Sequence, residues 1–339
     1  MMLVDGVAQC RTALAVQDPA GGREIRLNGA ESCAQQVSGC ASRYVLSDDL
    51  TRLCAHLAYS KGARNLACAD LLHVPAETLW VEWCHAPWQR ALQHYGFYTP
   101  TEGLECGGRR GALIQSSPAG RRGTVRTFWS VGDGLEVIAS SMEAYFDLDT
   151  LEGEEPESPD GRRGPGIRVR DGECRGEDIL ARCFRFRYER TWSEYYGSAA
   201  LSHLENMAVT RHVLGTIAID IPLLLAFLLL LASRTSLPRR VHTLERLNRS
   251  RHRSGRVPLL DHTEVRSPVL PEYLVCHSPD PHGTRRSPRL HHVRGHLMRR
   301  GTQVFWRVPH LRGSARSGVI RTRTVTWTFD DPSVRHASS

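Results

Sequence analysis

The longest uninterrupted hydrophobic run of the chain lies at 213–232 and reads VLGTIAIDIPLLLAFLLLLA. Twenty residues is the length that a helix needs to cross a bilayer. Its Leu, Ile, Val and Phe residues contribute roughly −4 to −8 kcal/mol on insertion scales, against roughly 2.5 to 3.5 kcal/mol for an Asp at the centre. The pattern therefore predicts one transmembrane helix over 213–232, in which Asp220 pairs with a partner helix.

The same run has a second interpretation, a buried helix in a soluble protein. Asp220 then caps the helix and Pro222 starts it, which leaves about 11 residues up to Ser233. Such a helix is apolar on every side, so it requires a large core around it. The setting of 213–232 distinguishes the two interpretations.

Between 43 and 211 the pattern alternates between helical and strand periodicities and predicts a mixed α+β domain. Ser47 is placed to cap a helix whose apolar residues recur at helical spacing: Leu50, Leu53, Cys54 and Leu57. A second short helix is predicted at 63–72. Short apolar runs predict strands, of which the middle three suit an antiparallel sheet: 79–83, 112–115, 124–131, 135–146 and 184–188.

The remaining segments have weaker patterns. Residues 1–42 are small and polar and predict a loosely structured arm. An acidic Pro/Gly-rich loop is predicted at 152–166, and a helix at 206–214. The expected fold class is thus α+β: a mixed, sheet-containing N-terminal domain, one transmembrane helix and a basic, largely irregular tail over 234–339. Within that tail the pattern predicts a short basic helix or turn at 244–253, loose structure at 254–290, and strands at 303–308 and 322–329.

Charge divides the chain into two unlike parts. Residues 234–339 contain 21 Arg and 7 Asp plus Glu, a balance of +14, whereas residues 1–233 carry −6, and the two sum to the formal net charge of +8. Arginine provides all but one of the basic residues, which a coding sequence rich in G and C would also produce. That bias does not explain why the positive charge is concentrated at one end, and such a segment suits a polyanion.

The cysteines divide in the same way, since nine of the ten precede 213–232. In an oxidising compartment they can form up to four disulfides; in a reducing one they are buried thiols. The arginines after 233 suit a cytoplasmic flank. Together these features predict a single-pass protein with a non-cytoplasmic N-terminal part. The start of the chain has no recognisable secretory signal, which counts against this orientation and favours the alternative, a soluble cytoplasmic protein.

The densest polar run of the tail, 287–300, and the segment 305–310 that follows it provide the candidate site residues. Five arginines are candidates for phosphate contacts, and an aromatic residue is a candidate for stacking on a base: Arg289, Arg294, Arg299, Arg300, Arg307 and Trp306. This pattern predicts binding to nucleic acid or another polyanion.

Catalysis by the same run is a further hypothesis. In a metal-independent ribonuclease, His291 or His296 would act as acid or base, and Arg294 would stabilise developing charge. Nearby Cys and His residues match no familiar zinc spacing, so no metal site is predicted: Cys276, His277, His282, His292 and His296. The glycine-rich turns lack a nucleotide-binding context, so no cofactor is predicted.

These observations favour a binding or interaction protein over an enzyme. The first prediction is a single-pass membrane protein held by 213–232, and the second is a soluble protein that binds nucleic acid or another polyanion through its tail. The ribonuclease is the third. The pattern does not specify the partner, the membrane or the oligomeric state.

Overall fold

Two strands rich in β-branched and aromatic residues, β4 (Ser42–Leu46) and β5 (Thr78–Cys84), lie side by side in the computed structural model of the protein. The side chains from Leu79 to Trp83 are all buried, which is the setting of a strand covered on both faces. The structure describes residues 2–9, 12–13, 15–17, 24–26, 30–59, 69–95, 106–131, 136–160, 177–188, 217–233, 237–267, 289–293, 296–301, 303–307, 310–312 and 314–319.

The helices of these residues are short or of medium length. They are α1 (Leu3–Ala8), α2 (Ala30–Ser38), α3 (Asp48–Tyr59), α4 (His85–His94), α5 (Glu177–Cys183), α6 (Ile221–Ala232) and α7 (Glu245–Arg253), with a 3₁₀ turn at Ala69–Leu71. The other strands are β1 (Thr12–Ala13), β2 (Ala15–Gln17), β3 (Glu24–Arg26), β6 (Cys106–Ser116), β7 (Arg122–Val131), β8 (Glu136–Asp147), β9 (Phe184–Tyr188), β10 (Arg239–His242), β11 (His262–Val265), β12 (Arg289–Val293), β13 (His296–Arg300), β14 (Gln303–Arg307), β15 (His310–Arg312) and β16 (Ser314–Val319).

Nine strands form one mixed sheet in the order β1-β8-β7-β6-β5-β4-β11-β10, with β9 also paired to β8. β5 to β8 are antiparallel neighbours, whereas β4 runs parallel to both β5 and β11. The β6–β7 turn contains Gly120 at φ +70°, a left-handed conformation that glycine adopts without steric cost. The structure thus confirms the α+β class and the predicted antiparallel strands.

Helices cover both faces of this sheet. α1 and α2 pack on one face around a core that includes Val4, Val37, Trp80 and Phe128. α3, α4 and α6 pack on the other side, where α3 contacts both of the other helices. The Leu50 amide donates to Ser47 Oγ over 3.3 Å, which confirms the predicted cap of α3.

The apolar run is a core helix over its described residues. α6 has 12 residues, begins with Pro222 in its first turn and ends before Ser233, and every side chain from Ile221 to Leu230 is buried by protein. This is the setting that the second interpretation predicted, and it differs from the lipid-facing surface that a span requires. Among the residues that the structure describes, no helix combines the length and apolar content needed to cross a membrane.

Asp220 has a different role from the one predicted in the second interpretation. It occupies the position before α6, but its side chain makes no capping hydrogen bond. Its carboxylate instead binds Arg110 on β6, with Nη2 and Nε at 2.7 and 3.2 Å from Oδ2. A sequence pattern does not show this contact, because the two residues are 110 positions apart.

The expectation of a loose N-terminal arm is wrong for the described residues of 1–42. Leu3, Val4 and Val7 of α1 are buried against the sheet, and so are Cys33 and Val37 of α2. The amphipathic pattern of these helices is too short to be recognised in the sequence, yet their apolar residues cover one face of the sheet.

The expectation of an irregular tail from residue 234 also needs correction. β10 and β11 extend the same nine-stranded sheet, and 1–268 form one compact unit together with 298–305. The predicted basic helix at 244–253 is present as α7. The predicted strand at 303–308 corresponds to β14.

The remaining residues, 269–297 and 306–339, form a second compact unit. Within it β12 pairs antiparallel with β15 and parallel with β16. The predicted strand at 322–329, the predicted helix at 206–214 and most of the predicted helix at 63–72 lie outside the described residues.

Candidate polyanion-binding surface

The segment that leads from β10 through α7 to β11, residues 237–267, is strongly basic and will be called the basic segment. It contains eight arginines and three acidic residues, Glu245, Asp261 and Glu264, so its formal charge is 8 − 3 = +5. No residue of α7 is buried. The segment therefore places a concentrated positive charge on the surface.

Hydrogen bonds between α7 and the neighbouring chain determine which side of the helix faces outwards. The Leu244 amide donates to Asp261 Oδ1 over 2.7 Å. Asn248 donates from Nδ2 to the Leu259 carbonyl and accepts from the Leu259 amide, both at 2.8 Å. Asn248 thereby joins one side of the helix to the chain that returns to β11. The opposite side is free to face outwards.

That outward side carries an arginine stripe, which is defined as Arg246, Arg249 and Arg253. These residues are spaced i, i+3 and i+7, so they project from one face of the helix. All three are exposed. With a rise of about 1.5 Å per residue, the stripe is about 10 Å long, which is enough to contact more than one phosphate group.

Few acidic side chains among the described residues lie close enough to the stripe to neutralise its charge. Arg249 is 3.1 Å from Glu245, but both side chains are exposed, and such pairs contribute little energy. In the described part of the chain Arg246 and Arg253 have no acidic partner. Since guanidinium groups bind phosphate oxygens through two parallel N–H groups, the stripe has donors available for an external anion.

Arginines near the other edge of the sheet have a contrasting environment. The acidic loop and the turn before it neutralise four of them, at separations from 2.6 to 2.9 Å: Arg121 with Asp149, Arg122 with Glu157, Arg185 with Glu155, and Arg187 with Asp160. The predicted acidic loop thus binds the protein's own arginines, whereas the basic segment aligns three exposed arginines on one helix face.

Two histidines lie on the strands of the basic segment. His242 and His262 are opposite one another in the β10–β11 register and their rings stack with centroids 4.9 Å apart. His242 Nε2 is 3.3 Å from Glu264, which also pairs with Arg266. The hydrogen bond from Arg266 holds the pKa of Glu264 below its usual value, so this carboxylate is charged at neutral pH and locally reduces the positive potential.

The predicted site residues have varied positions. Arg299 and Arg300 are exposed on β13, and Arg299 Nη2 is 2.8 Å from Asp70. Arg307 is exposed at the end of β14, whereas Trp306 is only 7 % exposed and offers little ring surface for stacking on a base. Arg289 lies on β12, and Arg294 lies outside the described residues.

The ribonuclease hypothesis stays a prediction. His291 is on β12 opposite Arg312, and His296 begins β13. Because Arg294 lies outside the described residues, the structure does not establish the acid, base and charge-stabilising arrangement that this chemistry requires.

A buried polar cluster in the core is the second group of chemically notable residues. Arg110 lies 4.7 Å above the Trp88 ring and 5.7 Å from the Trp129 ring, in addition to its pair with Asp220. The His85 ring lies against Trp88 at a tilt, with ring centroids 5.3 Å apart. Burial, and secondarily the charge of Arg110, lowers the His85 pKa to about 4. Both sides of the Arg110–Asp220 pair are excluded from water, so the cluster holds elements together.

A third group lies at the carboxyl end of β5. Glu82 accepts from the Leu3 amide at 2.9 Å, from the Val4 amide at 3.0 Å and from Trp80 Nε1 at 3.2 Å, and it also pairs with Arg109. With its oxygens engaged in this way, Glu82 anchors α1 to the sheet.

Cys84 lies beside Arg109, whose Nη1 is 3.5 Å from its sulfur. Burial raises the Cys84 pKa despite the nearby cation, so the group is a thiol at neutral pH and a poor nucleophile. Four described cysteines are free thiols, and the predicted disulfides stay a prediction: Cys40, Cys54, Cys84 and Cys183.

Within the described part of the chain, no group of three or more His, Cys, Asp or Glu side chains could hold a metal ion. No protein-family model, curated protein or solved structure matches the sequence or the fold. The basic segment is therefore the best-supported candidate site. The sequence predicted its helix at 244–253, but charge density alone directed attention to 287–300, and only side-chain exposure identifies the stripe.

Proposed function

We propose that the protein is a polyanion-binding protein and that the arginine stripe is its principal contact. The observation that carries the proposal is an exposed helix face with three arginines in a segment of charge +5. Phosphate and sulfate groups are the anions that arginine binds best, and multiple contacts make the affinity depend strongly on salt.

The surface suits binding without sequence selectivity. Non-selective binding to a nucleic acid depends on phosphate contacts, whereas recognition of a base sequence needs side chains that reach base edges in a groove. The basic segment contains no Phe, Trp or Tyr, so it lacks the larger aromatic rings that most often stack on unpaired bases. We infer that the partner is recognised by its charge and by the spacing of its anionic groups.

Binding to heparin and to a 20-base-pair DNA duplex at low salt tests the proposal. The variant Arg246→Gln/Arg249→Gln/Arg253→Gln is expected to bind both probes at least about tenfold more weakly, because it removes three anion contacts. The control Arg52→Gln/Arg90→Gln removes charge from α3 and α4. If wild-type protein binds neither probe at low salt, or if the control and the stripe variant lose equal affinity, the proposal is wrong.

A further inference from the structure

The exposed apolar side chains of the protein are unevenly distributed. Among the described residues the large hydrophobic side chains with substantial exposure are Leu151 at 65 %, Val241 at 68 %, Leu247 at 47 % and Val257 at 53 %. Three of these four lie in the basic segment. A scattered exposed hydrophobic residue needs no explanation, but this concentration next to a phosphate-binding stripe does.

Two of the three apolar residues are held close to the stripe. Leu247 and Arg251 are spaced i, i+4 and so lie on the same side of α7. Arg251 Nε donates to the Val257 carbonyl over 2.8 Å, which brings the loop after α7 back towards that side. Leu247 thus shares a side of the helix with Arg251, and the backbone of Val257 is bonded to the same arginine, next to the outward arginines.

Exposed apolar side chains beside arginines distinguish between two classes of anionic partner, nucleic acids and lipid membranes. The phosphate backbone of a nucleic acid gains nothing from an exposed Leu or Val. At a lipid surface, apolar side chains enter the boundary between headgroups and acyl chains, while arginines bind the anionic headgroups. Arginines and Leu247 on one exposed helix, with Val257 in the loop after it, form the pattern of a segment that lies in the plane of a membrane surface.

We propose that α7 and the loop after it dock on the surface of an anionic lipid membrane, with the arginine stripe on the headgroups and Leu247 and Val257 in the apolar boundary. This inference rests on the proposed function and specifies its partner. The attachment is peripheral and leaves α6 in the core, so it differs from the span predicted for 213–232.

Vesicle flotation with the full chain tests the inference, using phosphatidylcholine vesicles with and without 30 % phosphatidylserine, alongside binding to the DNA duplex. Wild-type protein is expected to float with the anionic vesicles only. Leu247→Ser/Val257→Ser is expected to weaken vesicle binding about tenfold and to leave duplex binding unchanged, since it removes only apolar contacts. The stripe variant Arg246→Gln/Arg249→Gln/Arg253→Gln is expected to lose about a hundredfold in vesicle affinity, at about fivefold per arginine.

Leu151→Ser is the control, because it removes an even more exposed apolar side chain from the residue just before the acidic loop and is expected to change neither kind of binding. Wild-type protein that binds the duplex or heparin but not the anionic vesicles would overturn the membrane inference and leave the proposed function standing. The same conclusion would follow if Leu247→Ser/Val257→Ser floated as wild type does. Failure to bind either heparin or the duplex at low salt would remove the proposed function itself, and the membrane inference with it.

Discussion

Arg110 Nη2 lies 2.7 Å from Asp220 Oδ2, and both side chains are almost completely excluded from water. The pair connects strand β6 to the start of α6. The Tyr59 hydroxyl of α3 donates to the Ile219 carbonyl one residue earlier, so two polar contacts fix the entry of this apolar helix. Hydrophobic burial favours α6 in any core position, whereas these directional contacts specify one position and one register.

Removing the cation of this pair is expected to destabilise the protein strongly. Arg110→Met leaves the Asp220 carboxylate buried without its partner, and breaking a buried pair costs about 3–5 kcal/mol. The free energy of unfolding at pH 7, measured by urea denaturation, should fall by this amount. Arg52→Met is the control, because the Asp49 side chain that pairs with Arg52 is exposed. Exposed pairs of this kind contribute about 1 kcal/mol or less. Equal losses for the two variants would contradict the structural role of the pair.

The pH dependence of stability should report Asp220. Burial raises its pKa to about 6 from 3.8, even though Arg110 lowers it. The folded state therefore binds this proton more tightly than the unfolded state. The stabilising contribution is complete below about pH 4 and is lost as pH rises to about 6, by about 3 kcal/mol for a difference of about 2 pKa units.

Asp220→Asn removes the titrating group, so it isolates this contribution. The difference in unfolding free energy between wild type and Asp220→Asn is expected to change between pH 4 and 6 and to be constant outside that window. Asp49→Asn is the control at an exposed carboxylate. A difference that is flat across the window would show that Asp220 has an ordinary pKa in the folded protein.

Glu82 should be required for the N-terminal helix to dock. Glu82→Gln places an amide group where the carboxylate accepts from the Leu3 and Val4 amides, and it removes the charge opposite Arg109. Because charged hydrogen bonds contribute about 1.5–3 kcal/mol, a loss of about 2–4 kcal/mol is expected. Hydrogen exchange should increase at residues 3–8. Glu77→Gln, at an exposed position before β5, should leave both measurements unchanged.

The contact between Glu82 and α1 also explains a limit of sequence reasoning. Residues 3–8 have too little periodicity to predict a helix, and no local pattern indicates that a carboxylate 79 positions away accepts from the Leu3 amide. The strands from 79 to 146 were predictable, because alternation and glycine-rich turns are local signals. The amide contacts of α1 are not local, so the arm was expected to be loose.

The apolar run 213–232 shows the same limit of sequence reasoning, but here the local pattern predicted a membrane span and not a loose segment. The insertion energies of 213–232 depend only on composition, and they favour a membrane. The structure depends in addition on Arg110, which supplies a partner for Asp220 within the protein, and on a sheet face wide enough to bury Ile221 to Leu230. For the surface site, the sequence predicted a basic helix at 244–253, but the outward direction of Arg246 and Arg253 depends on the Asn248 contacts.

The salt dependence of the binding constant should give the number of anionic groups that the arginine stripe contacts. A DNA duplex serves here as a rigid array of phosphates, for which the slope of log K against log salt is about −0.9 for each phosphate neutralised. The stripe variant Arg246→Gln/Arg249→Gln/Arg253→Gln should therefore have a slope smaller in magnitude by about 3. The slope is measured by fluorescence anisotropy between about 50 and 200 mM salt, where affinities of this kind change strongly.

A second variant compares the stripe with the arginines that charge density alone selected. Arg299→Gln/Arg300→Gln is expected to change the slope by less than about 1. Two N–H groups of Arg299 already bind both carboxylate oxygens of Asp70, at 2.8 and 3.2 Å, whereas Arg249 makes one contact with Glu245 at 3.1 Å. Arg300 is then the single arginine of this pair with its guanidinium available. If instead this variant reduced the slope by about 2 and the stripe variant left it unchanged, the anion contacts would belong to β13, and α7 would not be the binding surface.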